Sequence, residues 1–385
     1  MKKLGIIYLA LIFSLFLNCE EKRSRIDYIT EDGVKVILNY IEPYKLNGKF
    51  SNFNLNKVWE IDTEKKAILE TGLVGIYDFD IDSRGNVYII NSESNNNFIF
   101  KFDPKGNYLL SFCRKGEGPE EITNPPKIRI TDNDEITINS GMKILFFTPE
   151  GKFLKEVKSK YYFFEALYLE NGNFLIKTGS LPVENESGLM ERKVILYDSH
   201  FNEIKILDRI THENILVKRV KGTFHNLVCE VNDRKIFIGN QERGYEILVF
   251  DFNGNLIKKI RKEYRKIPTS KEYKEKFMNP FKKNPRIFNI IKDKIYFPPH
   301  LPPFHYFITD EKGKIYVMTY EKEKNKGEYM FDIFNENGAF VGRKSLKDFS
   351  YPEGLRGKFK NNYFYRVEEK ENGFEKLVAY KVIWK

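Results

Sequence analysis

One pattern recurs along this chain, and its first copy runs from Asp78 to Cys113. In this copy two short apolar runs flank a turn at residues 82–86 (DSRGN), and two more flank a turn at residues 103–107 (DPKGN). Glycine near the end of such a turn adopts a positive φ without a Cβ clash, and proline presets φ at the second turn position. Each half therefore predicts a β-hairpin, and two hairpins in tandem predict one four-stranded antiparallel sheet.

The two kinds of turn recur along the rest of the chain. First-hairpin turns fall at Gly85, Asn133-Asp134, Asn171-Gly172, Asn232-Asp233, Lys312-Gly313 and Asn361-Asn362. Second-hairpin turns fall at Gly106, Gly151, Phe201-Asn202, Gly254 and Gly338. Six first turns and five second turns leave one outer strand unaccounted for. Residues 58–61 (VWEI) and 67–69 (AIL) precede the first copy, and we expect them to pair with residues 377–384 and supply that strand.

A closed ring of small sheets leaves only short, protected edges, whereas an open stack exposes an apolar face at each end. Aromatic residues, which make up 15% of the chain, can fill the gaps between stacked sheets. We therefore predict an all-β fold. It is a six-bladed β-propeller of four-stranded antiparallel blades over residues 57–385, closed by the N-terminal strand pairing with the C-terminal blade.

One part of this region departs from the repeat. Successive second turns are 45, 51 and 52 residues apart, but the last two are 84 residues apart, which predicts an insertion at about residues 262–304. Residues 269–278 indicate a short capped helix, and the proline-rich residues 297–304 fit neither a helix nor a central strand. The insertion is expected to lie over one face of the ring, either as a lid on the channel or as a cover for an edge.

The N-terminus has the pattern of an export signal. Residues 1–18 hold two lysines and then an apolar run that is too short for a comfortable membrane span, and Cys19 follows. The sequence around Cys19 resembles a bacterial lipobox, with Asn18 where a small residue is usual. The resemblance implies a diacylated Cys19 that anchors the protein in the cell envelope, on its periplasmic or surface-facing side. Residues 19–56 are then a tether, with one stray strand around residues 36–41.

The charge and cysteine content limit which binding partners and disulfide bonds we expect. The net charge of +10 is spread along the chain without a block of like charges, and an exported protein meets little nucleic acid, so we expect no nucleic-acid partner. Cys113 and Cys229 fall in different blades, and we expect both to be buried and unpaired. A self-closed ring has no need of a partner for its fold, so a monomer is expected.

Further motifs carry a family resemblance. They are the paired Asp-x-x-Gly hairpins, residues 116–121 (GEGPEE) after the first complete blade, and residues 302–304 (PPF) before the strand signal at residues 308–317. Over most of residues 58–385 the chain resembles the six-bladed β-propeller lipoproteins of bacteria, which are relatives of NHL-repeat propellers. The resemblance implies a fold and an export route, and it implies no reaction.

Candidate metal ligands are sparse. Asp78, Asp80 and Asp82 alternate along one strand and share a face. With Glu165 and Asp310 they are candidates for Ca²⁺ ligands in the channel. The other interpretation, which we favour, is that such aspartates end strands and cap turns. No cofactor is otherwise expected, and no catalytic residue is assigned.

Candidate ligand-binding residues come from two groups. The histidines, at positions 200, 212, 225, 300 and 305, have no metal-binding spacing, but His300 and His305 share the insertion. Arg219 and Arg356, together with Lys221 and Arg343, are candidates for a basic rim that holds an anionic ligand.

Three functions remain open at this point. The first is a membrane-anchored, noncatalytic binding or scaffold module that holds a protein, peptide or glycan on one face of the propeller. The second is a metal-dependent hydrolase or lactonase with its site at the channel. The third is a structural component of the envelope without a specific partner.

Overall fold

The computed structural model describes residues 25–91, 97–122, 126–159, 163, 165–179, 188–215, 217–223, 226–324, 328–346 and 356–385. The predicted signal sequence and Cys19 lie outside these residues, as does His225. In chain order the strands are β1 (Ile26–Glu31), β2 (Val34–Asn39), β3 (Phe53–Asp62), β4 (Ile76–Ile81), β5 (Val87–Asn91), β6 (Asn97–Phe102), β7 (Tyr108–Arg114), β8 (Lys127–Ile130), β9 (Ile136–Ser140), β10 (Lys143–Phe147), β11 (Phe153–Lys158), β12 (Glu165–Tyr168), β13 (Phe174–Gly179), β14 (Leu189–Tyr197), β15 (Glu203–Glu213), β16 (Val220–Lys221), β17 (Leu227–Asn232), β18 (Lys235–Asn240), β19 (Glu246–Asp251), β20 (Leu256–Lys262), β21 (Ile295–Tyr296), β22 (Tyr306–Thr309), β23 (Ile315–Lys322), β24 (Tyr329–Phe334), β25 (Phe340–Leu346), β26 (Gly357–Lys360), β27 (Tyr363–Glu369) and β28 (Glu375–Trp384). The helices are α1 (Lys66–Leu69), α2 (Lys271–Lys282) and α3 (Pro285–Ile291).

The described strands form six blades. Blades one to five are β4–β7, β8–β11, β12–β15, β17–β20 and β22–β25, and blade six consists of β26–β28 and β3. Within each blade neighbouring strands are antiparallel, and the first strand of each lies against the central axis. The predicted six-bladed β-propeller is confirmed.

The ring closes as the strand count predicts. Strand β3 pairs antiparallel with β28, so that Trp59 faces Ala379 and Phe53 faces Trp384. Residues 67–69 were expected to contribute to this outer strand, and that expectation is wrong. They lie in α1, where the Leu69 N–H donates to the Lys65 carbonyl, because β3 already completes the blade.

The turns between strands follow the predicted chemistry. The Asp82 carboxylate accepts hydrogen bonds from the backbone N–H groups of Arg84 and Asn86, and Gly85 has a φ of 84°. Carboxylates at the same turn position in other hairpins accept equivalent pairs of N–H groups, at Asp103, Asp198, Asp251 and Asp310. These turns fix the strand ends because the side chain replaces backbone partners that the tight turn lacks.

Much of the expected tether is instead part of the fold. Strands β1 and β2 form a hairpin, and β2 adds to the outer edge of blade four in parallel with β20, with Ile37 beside Ile260. The following segment crosses blade five, where the Ser51 N–H donates to the carbonyl of Val341. Ile37 is fully buried, so burial of apolar side chains holds this segment on the propeller. Residues 53–56 already belong to β3, so the prediction of a tether over residues 19–56 is wrong for residues 26–56.

The insertion begins after β20 and contains α2 and α3. The Ser270 hydroxyl accepts a hydrogen bond from the Tyr273 N–H, as expected for the cap of the predicted helix, and the helix continues to Lys282. Strand β21 pairs in parallel with β16, which ties the insertion to the segment between blades three and four. Among the described residues no helix is long and apolar enough to span a membrane.

Candidate functional site

The central axis holds a polar cavity of about 290 Å³ that is lined by the first strand of every blade. Strands β4, β8, β12, β17, β22 and β26 all contribute side chains to it. Five cationic and four acidic side chains line the cavity, and they are Lys127, Arg129, Arg356, Lys358, Lys360, Asp78, Asp80, Glu165 and Glu230. We call this cavity the axial channel.

Asp78 and Asp80 join the first blade to its neighbours. The Asp78 carboxylate accepts a hydrogen bond from the Ile128 N–H at 3.1 Å, and the Asp80 carboxylate accepts one from the Ile130 N–H at 2.9 Å. Lys358, on blade six, lies 3.1 Å from the other Asp80 oxygen. Burial raises the pKa of Asp80, but the charges of Lys358 and Arg129 outweigh burial and lower it below its ordinary value. Through these contacts the two carboxylates connect blades six, one and two.

Glu165 is the centre of a second group. Its carboxylate lies 2.8 Å from the guanidinium of Arg129 and 2.7 Å from the ammonium of Lys177. Burial raises the pKa of Glu165, but Lys177 and Arg129 outweigh burial and hold it at about 2. Burial lowers the pKa of Arg129, but the charges of Glu165, Asp78, Asp80 and Glu230 together outweigh burial and raise it above its ordinary value. Each of these three charges is therefore neutralised by its neighbours.

Glu230 has a different environment. The Tyr306 hydroxyl donates to its carboxylate at 2.8 Å, and burial raises the pKa of Glu230 above its ordinary value. Burial also raises the pKa of Tyr306, so the hydroxyl keeps its proton and remains the donor. The carboxylate of Glu230 therefore takes up a proton more readily than that of an ordinary glutamate.

Two lysines of the axial channel have no carboxylate partner among the described residues. Lys127 lies over the ring of Tyr77 at 4.9 Å, and Lys360 follows Phe359 at the end of β26. Asp80 and Glu165 are each bound to cations, and Asp78 is bound to a backbone N–H group. Lys127 acts on Glu165 and Lys360 acts on Asp80 only through longer-range charge interactions. With five cations and four carboxylates in its lining, the channel has an excess of one positive charge.

The predicted ligand-binding residues do not form one site. His300 is exposed, whereas His305 is buried against Tyr320, with ring centroids 5.4 Å apart, and burial lowers the pKa of His305 to about 4. Arg219 is exposed over the ring of Tyr296. Only Arg356 lines the axial channel, where it also pairs with Glu375.

The predicted metal ligands are also separated. Asp78 and Asp80 lie in the axial channel, but Asp310 caps the turn after β22, where its carboxylate accepts N–H groups of Lys312 and Lys314. The described residues contain no group of three or more histidine, cysteine, aspartate or glutamate side chains placed to hold a metal ion. The local turn pattern, which the sequence shares with Asp82, explains Asp310 better than metal binding does.

Four cations of the axial channel were not among the predicted site residues. Lys127, Arg129, Lys358 and Lys360 alternate with apolar residues in the short segments KIRI and GKFK. Both segments come directly before a first-hairpin turn, which is the position of the inner strand in every blade. Alternating cations at that position were the available signal.

A second cavity, of about 270 Å³, lies between the insertion and blade three. Phe277, Phe281 and Ile295 of the insertion form its apolar wall, and His212 and Arg192 belong to the polar side. The insertion thus packs beside the outer strands of blade three, where it lines a pocket distinct from the axial channel.

Comparisons with known proteins agree with this architecture. Residues 72–227 match the model of a family described as a 6-bladed beta-propeller. Among solved structures, a Bacteroides fragilis protein described as exported has 14% identity and a TM-score of 0.51, and the alignment covers 86% of this chain and 95% of that one. The sequence matches none of the curated proteins with which it was compared.

Two further solved structures have lower sequence identity and lower TM-scores. The WD40 domain of Pan2 from Neurospora crassa has 6% identity and a TM-score of 0.39, with coverage of 88% of this chain and 97% of that one. The calcium-binding protein regucalcin from Agrobacterium tumefaciens has 8% identity and a TM-score of 0.39, with coverage of 80% and 92%. The chain therefore has the fold of a six-bladed β-propeller, and its residues 72–227 are similar to a family of that fold.

Proposed function

We propose that this protein is an exported lipoprotein, anchored in the cell envelope through Cys19, whose axial channel binds the anionic part of a peptide or glycan without catalysis. The N-terminal pattern of residues 1–18 followed by Cys19 supports the anchor. The Bacteroides protein of the same fold, described as exported, is consistent with that location. The protein acts as a monomeric binding module.

One observation carries the binding proposal. Lys127 and Lys360, from blades two and six, line the same axial channel without a carboxylate partner among the described residues. A cleft lined by excess charge of one sign concentrates counter-ions, and low-dielectric walls strengthen the effect. A carboxylate or phosphate group in the channel would gain charge-assisted hydrogen bonds from these lysines.

A metal-dependent hydrolase at the channel is the alternative. It needs several hard oxygen ligands that converge on one ion. Asp80 is instead bound to Lys358 and to a backbone N–H group, and Asp310 lies in a turn. The positions of these carboxylates favour a binding role over the alternative.

The binding proposal can be tested by calorimetry on the mature chain with Cys19→Ser, which cannot be acylated. The ligands are glucuronate and inorganic phosphate, with glucose as the neutral control. We expect the anions to bind and the double change Lys127→Gln with Lys360→Gln to weaken binding by about tenfold or more, because each charged hydrogen bond contributes about 1.5–3 kcal/mol. The exposed pair Lys105→Gln with Lys152→Gln is the matched control and is expected to leave binding unchanged.

Two results would count against this function. The first is equal affinity for glucose and glucuronate, and the second is an equal loss of affinity in the channel double variant and the control double variant. Either result would show that channel charge does not select the ligand. A rise in melting temperature with Ca²⁺ that Asp78→Asn or Asp80→Asn abolishes would favour the hydrolase. The anchor is tested separately by the mass of the mature N-terminus and by loss of membrane fractionation in Cys19→Ser.

A further inference from the structure

The outer side of the insertion combines exposed apolar residues with positive charge. Residues 263–304 contain ten lysines and arginines but only four aspartates and glutamates. On α3 the side chains of Ile287 and Ile290 are 46% and 52% exposed. They are three positions apart and therefore share one face of the helix.

The inner side of the insertion is already covered. Tyr273 and Phe277 of α2 are buried together with Ile291, Ile295 and Tyr320. The buried side holds α2 and α3 on the propeller, so Ile287 and Ile290 are not needed for that packing. Their exposure leaves an apolar face without a cover among the described residues.

Cations surround this face. Lys282 and Lys283, at the end of α2, and Arg286, at the start of α3, are exposed. None of the three takes part in the ion pairs found among the described residues, whereas Lys271 and Lys276 of α2 each pair with a glutamate. An apolar helix face with basic residues beside it is typical of a segment that lies in the interface of an anionic bilayer.

The first described strand, β1, begins at the same end of blade four as the insertion. Ile26, in β1, pairs with Asn39 of β2, and Asn39 lies beside Lys262 at the end of β20, where the insertion begins. Six residues lie between Cys19 and Ile26. The seven steps from one to the other span at most about 25 Å, at about 3.6 Å per step in a fully extended chain. An acylated Cys19 would therefore hold this end of blade four close to the membrane.

We propose that the α2–α3 surface, defined by Lys282, Lys283, Arg286, Ile287 and Ile290, contacts the anionic headgroups and outer acyl region of the bilayer that holds the anchor. The membrane orientation rests on the proposed lipid anchor. The isoleucines enter the interface, and the cations bind lipid phosphates. The contact fixes how the propeller sits on the membrane, because two separate points, the anchor and this surface, then touch the same bilayer.

The test uses the mature chain with Cys19→Ser, so that lipid binding cannot arise from acylation. Co-sedimentation is measured with vesicles of phosphatidylcholine alone and of phosphatidylcholine with phosphatidylglycerol. We expect binding only with phosphatidylglycerol, and weaker binding as salt is raised. The double change Ile287→Ser with Ile290→Ser is expected to lower the partition coefficient by about tenfold, since two half-exposed isoleucines lose their burial in lipid.

A matched control distinguishes lipid binding by this surface from nonspecific binding through any exposed apolar residue. Leu109 and Leu154 are each 49% exposed and lie on the outer strands of blades one and two. The change of both to Ser is expected to leave vesicle binding unchanged, and circular dichroism establishes that all variants are folded. Absence of binding to phosphatidylglycerol vesicles, or an equal loss in the control, would overturn the proposal.

Two further outcomes are distinguishable. A concentration-dependent dimer that Ile287→Ser with Ile290→Ser dissociates, measured by sedimentation velocity, would assign the surface to a second copy of the chain and overturn lipid contact. If the mature N-terminus lacks an acyl group while vesicle binding persists, the proposed anchor fails and the lipid-binding surface stands. The calorimetric test of the axial channel depends on neither result.

Discussion

Replacing Glu165 by Gln is expected to destabilise the propeller by about 3 kcal/mol near neutral pH. Its side chain is only 15% exposed and binds both Arg129 and Lys177, which would lose their shared counter-charge. The pKa of Glu165 falls from an ordinary 4.5 to about 2, because Lys177 and Arg129 outweigh burial. At about 1.4 kcal/mol per unit this corresponds to about 3 kcal/mol, within the range for breaking a buried ion pair.

The measurement is urea unfolding followed by circular dichroism, with Glu272→Gln as the matched control. Glu272 also lies near two lysines, Lys276 and Lys322, but its side chain is 61% exposed. An exposed ion pair contributes at most about 1 kcal/mol, so the control is expected to lose little. Equal losses for Glu165→Gln and Glu272→Gln would refute the view that burial makes the channel pairs important.

The pH dependence gives an independent check. Because the pKa of Glu165 is lower in the folded state than its ordinary value, its contribution is complete above 4.5 and is lost as the pH falls towards 2. The wild-type protein is therefore expected to lose about 2 kcal/mol more than Glu165→Gln between about pH 7 and about pH 3. A stability difference that does not change with pH would contradict the assigned pKa.

Three other variants or sites test separate parts of the fold. Gly342→Ala is expected to lower the free energy of unfolding by about 1–3 kcal/mol, because a Cβ there would lie 2.0 Å from the Ser51 carbonyl oxygen. Unchanged stability in urea unfolding would mean that this crossing segment moves freely. Burial lowers the pKa of His305 to about 4, so its contribution is present above the ordinary 6.5 and is lost as the pH falls towards 4. His305→Phe is expected to reduce the fall in melting temperature over that range, and an identical fall would place the acid sensitivity elsewhere. Burial raises the pKa values of Cys113 and Cys229 to about 12, so both thiols are expected to resist iodoacetamide until the protein unfolds; rapid labelling of the folded protein, read by mass spectrometry, would contradict their burial.

Turn chemistry made most of the propeller predictable. A turn such as residues 82–86 depends on local groups, namely the Asp82 carboxylate and the positive φ of Gly85, and it leaves a strong trace in sequence. The count of such turns gave the number of blades, and the missing outer strand predicted the closure by β3. The helix at residues 271–282 was likewise foreseeable from its Ser270 cap.

The course of the N-terminal segment was not predictable to the same degree. The apolar residues of β2 indicate a strand, but nothing local specifies the edge to which a strand will add. Its partner β20 is more than two hundred residues away, and the choice depends on the apolar surface that blade four leaves exposed around Ile260. Long-range pairing of this kind is decided by the assembled propeller.

The sequence alone determined the class of fold, because hairpin turns and the alternation of apolar residues are local properties that repeat six times. Only the tertiary structure decided the candidate site. Lys127, Glu165 and Lys360 are far apart in the chain and meet because ring closure brings the first strand of each blade to one axis. The ionisation of Glu165 depends on that meeting, since Arg129 from the neighbouring blade helps to lower its pKa.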